Sequence, residues 1–222
     1  MQKILFRYFM YALAVIVINL GLLAAAHYLP GSLQFDRVVS GVSAPTSEFS
    51  PVELLQNILL LACIAIFGWV ASRDRLRRPM AMAFVSIFSA CLVRELDFFL
   101  DFYVVDNFWQ VLCAIIISFV LVYVGRDWPR FQLGWRRSWP SAGLAIVIGG
   151  LILLVPYAQL IGHEPLWRGV MGDSYLHIVK VIAEEFVELG AYLLITIGSV
   201  EFLYAWSRLP RTIRSVQKKK RR

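Results

Sequence analysis

Apolar residues run along this chain in six blocks, separated by short polar and basic stretches. The blocks cover roughly 6–28, 51–71, 80–103, 107–125, 141–161 and 175–206. As a helix, each is long enough to cross about 30 Å of hydrocarbon. The pattern predicts an all-α membrane protein, a six-transmembrane-helix bundle forming a single domain over 1–222, with a basic tail at 207–222. The first block exceeds a signal-peptide core, and no clean small-x-small cleavage site follows it, so it reads as a true span. Ser50, Pro51 and Glu53 open the second block as N-cap, first-turn proline and capping-box acid. The stretch at 29–50, rich in Gly, Ser and Pro, is long for a bundle connection and reads either as a lid over one mouth or as a plain surface loop.

The basic residues orient this bundle. Lys3 and Arg7 precede the first block. Arg73, Arg75, Arg77 and Arg78 lie between the second and third, and Arg126, Arg130, Arg136 and Arg137 between the fourth and fifth. Arg208, Arg211, Arg214 and Lys218 to Arg222 follow the sixth. All of these fall on one side, whereas the opposite loops hold Arg37 and Arg168. By the positive-inside rule both termini are cytoplasmic, which an even number of spans requires. Trp69, Trp128, Trp135, Trp139 and Trp206 fall at inner boundaries and Trp109 and Trp167 at outer ones, as headgroup-level belts would.

Composition agrees. The chain is 59% hydrophobic and 17% charged with a mean hydropathy of +0.67, where a soluble domain carries roughly a quarter charged residues. These features place it in a bacterial inner membrane as a multi-pass protein. The net charge of +7 sits in short loops and the tail, so the expected partners are membrane lipids, not nucleic acid. The Lys-Lys-Lys-Arg-Arg end would meet anionic headgroups at about 1 kcal/mol per basic residue. A protein partner or a second copy of the chain is also compatible with the pattern. Cys63, Cys91 and Cys113 lie in apolar runs and match no metal knuckle or disulfide framework.

The informative exceptions are ionisable residues inside the blocks, where a charge costs a few kcal/mol or more. The third block carries Arg94, Glu95, Asp97 and Asp101; the sixth carries His177, Lys180, Glu184, Glu185 and Glu188. At 100° per residue, Arg94, Asp97 and Asp101 share one face and Glu95 lies off it; His177, Glu184 and Glu188 share another, flanked by Glu185 and Tyr192. At 1.5 Å per residue, Glu95 and Glu184 lie about 10 and 13 Å below the outer end of the bundle, so the two sets are expected to meet in an outward-facing pocket. Glu53, Gln56 and Asn57 would supply a third wall. Glu201 reads as a solvated residue at the inner end.

These side chains suit several chemistries. Glu184, Glu185, Glu188, Glu95, Asp97 and His177 are candidate acid–base residues. Arg94, Asp101, Glu53 and Lys180 are candidate substrate-binding residues, with Arg94 able to clamp a carboxylate or phosphate in two-point fashion. His177, Glu185 and Glu188 are ligand types for a divalent metal, although the Glu-x-x-His spacing of di-iron bundles is absent. The chain has no Gly-x-Ser-x-Gly, His-Glu-x-x-His, His-x3-His, Glu-Glu-x3-Arg or phosphate-binding glycine loop. Three functions stay open: a hydrolase or transferase acting on a lipid or lipid-linked substrate, a proton- or cation-coupled transporter, and a non-catalytic assembly, sensor or immunity-type partner. In the last, the acids would be structural ion pairs.

Overall fold

The computed structural model describes residues 2–29 and 50–208; the 29–50 connection, apart from its end residues, and the tail beyond 208 lie outside them. Among the described residues the chain is helical and contains no strand. The long elements are α1 (Gln2–Tyr28), α2 (Pro51–Arg73), α3 (Arg78–Glu95), α5 (Phe108–Arg126), α7 (Ala142–Ile152) and α10 (His177–Ser207). Shorter helices are α4 (Asp97–Tyr103), α6 (Trp128–Ser138), α8 (Gln159–Ile161) and α9 (Glu164–Met171). A π-helical stretch, Leu153–Ala158, joins α7 to α8.

Local chemistry sets these boundaries. Ser50 Oγ accepts the Glu53 amide at 3.1 Å and Pro51 occupies the first turn of α2, as the sequence predicts. Ser141 caps α7 in the same way, accepting the Leu144 amide at 3.1 Å. Asn107 enters α5 from the left-handed region at φ 62°, where asparagine is tolerated better than most residues. Pro156 has no N–H to give to the turn before it, and the π-helical stretch around it absorbs that loss.

Among the described residues, five helical segments are long and apolar enough to cross a membrane: Ile4–Tyr28, Pro51–Arg73, Phe108–Arg126, Ala142–Ile161 and His177–Ser207. The third predicted block departs from expectation. It is not one helix over 80–103 but α3 and α4, with Leu96 between them out of helical geometry (φ −102°, ψ 18°) and its amide turned back to the Val93 carbonyl at 3.3 Å. Just before the break, Arg94 and Glu95 bond to Glu188 and Tyr192 of α10. The 18-residue α3 holds Arg78, Arg94 and Glu95, and so falls short of the other five in apolarity.

The centre of the bundle is α2, α3, α7 and α10, with α5 packed outside α3 and α1 outside α10. The close approach of α7 to α10 depends on glycine. A Cβ on Gly198 would lie 2.7 Å from Val147 N and 2.8 Å from Gly143 O, and one on Gly150 would lie 2.6 Å from Ile195 Cγ1. Where lipid replaces water, backbone-to-backbone packing of this kind replaces the hydrophobic effect as the driving force between helices. Toward the basic end the core is aromatic: Phe67 stacks on Phe202 with centroids 5.4 Å apart and lies 4.7 Å from Phe84.

The basic end is locked by a second polar centre. Asp74 Oδ2 accepts from Arg77 Nη1 at 2.7 Å and from Trp206 Nε1 at 3.1 Å, and Arg77 Nε donates to Ser138 Oγ at 3.1 Å. The turn after α2 is thereby tied to α6 and α10. Burial alone would raise the Asp74 carboxyl, but the hydrogen bonds from Arg77 and Trp206 outweigh it and hold the group below its ordinary value. Glu201 corrects the sequence reading: it is not solvated but 5% exposed. Arg7 of α1 grips it in two-point fashion at 2.6 and 3.1 Å, and Tyr11 OH donates to it at 2.8 Å.

Candidate functional site

At the end opposite the basic loops, α2, α3 and α10 bring their polar residues together. Arg94 is the last full turn of α3, where the unpaired carbonyls of a helix C-terminus favour a cation. Its Nη2 donates to Glu95 Oε1 at 3.1 Å and to Glu188 Oε1 of α10. Glu95 also accepts Tyr192 OH at 2.6 Å. Their side chains are deeply covered, 6% exposed for Glu95 and 2% for Glu188, while that of Arg94 is 36% exposed. From α2, Gln56 Nε2 donates to Glu185 Oε2 and to the Glu185 carbonyl, both at 3.1 Å. Glu53, 4% exposed, lies one turn before Gln56 on the same helix.

Glu188, Tyr192 and Glu185 share a face of α10 because they recur at i, i+4 and i−3. Glu184, one position away from Glu185, turns elsewhere. It pairs with Lys180 at 2.9 Å and its carboxylate covers Gly162 at the end of α8, where any Cβ would collide with it. The face expected to unite His177, Glu184 and Glu188 therefore divides. His177 opens α10, is exposed, and has Nδ1 3.3 Å from Tyr175 OH. It stands eight residues before Glu185, about 12 Å of helix rise away. Among the described residues no group of three or more His, Cys, Asp or Glu is arranged to hold a metal ion.

The expectation that Arg94, Asp97 and Asp101 share a face with Glu95 off it is corrected by the break at Leu96. Arg94 and Glu95 are bonded to each other and to α10, while Asp97 and Asp101 belong to α4. Two features of the centre come from tertiary contact alone: Tyr192 as the hydroxyl donor to Glu95, and Gln56 as the amide across from Glu185. The sequence signal for both was their position beside the acids, with nothing to indicate the partner.

The electrostatics are lopsided. Three carboxyls, Glu95, Glu185 and Glu188, face one guanidinium, Arg94. Buried side-chain oxygens without a hydrogen-bond partner among the described residues include Gln56 Oε1 and Asn57 Oδ1 on α2 and Asp101 Oδ1 on α4; all are acceptors. A low-dielectric interior does not hold such a surplus of negative charge uncompensated. The arrangement is short of positive charge and of donors, and so suits uptake of protons, a small cation or a cationic group. It suits an anionic substrate poorly, because Arg94 is already engaged by two carboxylates.

From the acid centre a line of hydroxyls continues along α10. Thr196 Oγ1 bonds the Tyr192 carbonyl at 2.8 Å and lies 3.4 Å from Cys63 Sγ; Ser199 Oγ bonds the Ile195 carbonyl at 2.7 Å and is 3.6 Å from the same sulfur. Phe67, Phe84 and Phe202 then intervene before the Asp74 centre. The π-helical stretch of α7 packs on α10 between the level of Gly150, which meets Ala191, and that of Gly162, which meets Glu184. It is thus level with Glu188, a setting in which π-bulges recur at functional sites. Comparison with protein-family models, with curated proteins and with solved structures finds no match to this chain.

Proposed function

We propose that this chain is a six-span inner-membrane protein with both termini cytoplasmic, and that it works as a proton- or cation-coupled carrier. Protons or a small cation enter the acid centre from the non-cytoplasmic side. In this reading α3 and α4 together make the third crossing, which brings the total to six, interrupted at Leu96 where the centre needs Arg94 and Glu95 turned inward. The single observation that supports it is the imbalance of three carboxyls, two of them deeply covered, against one arginine, with buried acceptor oxygens that have no donor among the described residues. Glu185, held by an amide instead of a cation, is the group that exchanges its proton or ion. Arg94 holds Glu95 and Glu188 in place. The aromatic layer of Phe67, Phe84 and Phe202 closes the route toward the cytoplasm in this state, as alternating access requires of one side at a time.

The test is flux in proteoliposomes carrying the full chain, driven by a pH gradient or by a gradient of sodium or potassium. Wild-type protein moves one of these ions, and Glu185→Gln, which keeps the bond to Gln56, stops it. Absence of flux under every gradient, or full flux in Glu185→Gln, refutes the reading. Asp97→Asn is a second arm, since Asp97 sits at the break from which the route starts.

A second reading is a hydrolase or transferase acting on a lipid-linked substrate, with Glu185 as general base. It is favoured by one observation: the Arg94 side chain is about a third exposed, so a substrate group could approach it. His177 and Lys180 would then act at the mouth, with a divalent metal as an optional cofactor. A third arrangement, a non-catalytic partner protein or homo-oligomer, predicts that every acid-to-amide substitution leaves flux and lipid chemistry unchanged.

A further inference from the structure

A separate feature lies at the basic end. Helix α6, Trp-Pro-Arg-Phe-Gln-Leu-Gly-Trp-Arg-Arg-Ser, is the most amphipathic element on that side. It leans on α3 through one flank. A Cβ on Gly134 would come within 3.0 Å of the Leu76 carbonyl, Ser138 is bonded to Arg77, and Trp135 stacks on Phe84 with centroids 6.2 Å apart. The rest of the helix is uncovered. Trp128, Phe131, Gln132, Trp135 and Arg136 recur at i, i+3, i+4, i+7 and i+8 and line an open cleft of about 370 Å³. The rings form a continuous ladder, with Trp128–Phe131 at 5.2 Å, Phe131–Trp135 at 6.2 Å and Trp135–Trp139 at 5.7 Å.

The charge around this cleft is one-sided. Arg130 is paired with Asp127 at 2.9 Å. Arg136, in the lining, and Arg75, Arg126 and Arg137 on the same side have no carboxylate partner among the described residues. An indole floor with a guanidinium and a primary amide at its edge is an amphipathic receptor. The rings pack against the glycerol and upper acyl region of a lipid, and the guanidinium and amide N–H groups donate to a phosphate. Arg136 has no carboxylate partner among the described residues, and an anionic headgroup is the complement that a guanidinium flanked by indole rings would take up.

We propose that the α6 cleft is a binding site for an anionic phospholipid of the leaflet at the basic end, its phosphate held by Arg136 and Gln132 and its glycerol region by Trp128 and Trp135. This site is independent of the acid centre and stands or falls apart from it. It also differs from diffuse attraction of lipids to the basic tail, which is present in every arm of the test.

The experiment uses the full chain, exchanged into mixed micelles containing equal phosphatidylglycerol and phosphatidylcholine. Retained lipids are counted by mass spectrometry after gel filtration. Wild-type protein retains phosphatidylglycerol in preference. Arg136→Gln lowers that preference about fivefold, the scale of one basic residue at a membrane surface. Trp128→Leu lowers retention of both lipids together. Arg75→Gln, exposed on the same side but outside the cleft, leaves the preference intact. Unchanged preference in Arg136→Gln overturns the proposal. So does an equal fall in Arg75→Gln, which would make the attraction one of net charge and not of a site. Both arginines are exposed, so loss of fold does not confuse the result; thermal melts matching wild type check this.

Discussion

Replacing Arg94 by glutamine tests the electrostatic account of the acid centre directly. The substitution keeps a polar side chain of similar reach but removes the charge shared by Glu95 and Glu188, whose side chains are 6% and 2% exposed. Removing one partner of a buried ion pair costs about 3–5 kcal/mol, because the other charge stays enclosed without compensation. The Arg94 side chain is 36% exposed, so water offsets part of this and the expected loss is about 2–3 kcal/mol. A neutral hydrogen bond between membrane helices is worth much less, about 0.6 kcal/mol on average. Tyr192→Phe removes a hydrogen bond to the Glu95 carboxylate, which is stronger than a neutral one, and is expected to lose about 1.5–3 kcal/mol. The assay is reversible unfolding of the purified protein in mixed detergent, followed by tryptophan fluorescence. The sharper arm is rescue: Arg94→Gln combined with Glu95→Gln and Glu188→Gln recovers most of the loss, because three amides satisfy one another without net charge. Two results refute the reasoning: a loss below about 1 kcal/mol for Arg94→Gln, or no recovery in the triple variant.

Other outcomes follow from the same geometry. Gly198→Ala drives a methyl into the backbone of α7 and is expected to lose about 1–3 kcal/mol in the same assay. Gly149→Ala, which meets nothing within 4 Å, leaves stability unchanged or slightly raised. Asp74 is held below its ordinary value in the fold, so its contribution is complete above the unfolded carboxylate value of about 3.9 and disappears as pH falls through the lower folded value. Asp74→Asn is expected to lose about 1–3 kcal/mol at neutral pH and to flatten the acid limb of the stability profile; an unaltered acid limb refutes this role. Glu201→Gln weakens the grip of Arg7, so spin labels on α1 and α10 near the basic end should report a broader distance distribution than in wild type, and an identical distribution speaks against the anchor.

Much of this architecture was legible in residue order. Blocks of twenty or so apolar residues admit few structures in lipid, since each backbone group must be satisfied within its own segment. Helices α1, α2, α5 and α10 begin and end within a few residues of the predicted blocks, and Ser50 caps where its neighbours said it would. The acids on the third and sixth blocks identified the region of the polar centre, because ionisable residues in such segments are costly enough to be placed deliberately.

Helix phase was legible only in part. A face computed at 100° per residue loses meaning across Leu96, so the grouping of Arg94, Asp97 and Asp101 failed; on unbroken α10 the grouping of His177, Glu184 and Glu188 divided as well, because Glu184 pairs with Lys180 and His177 lies at the exposed start of the helix. Glu201 misled for a related reason: nothing near it in sequence revealed that Arg7, 194 residues away, would meet it. Local order of apolar and charged residues thus determined that the chain is helical, membrane-bound and acid-bearing at one end. The tertiary fold alone decided which carboxyl meets which cation. Pairing energies depend on distance and burial, and neither exists until helices far apart in the chain are side by side.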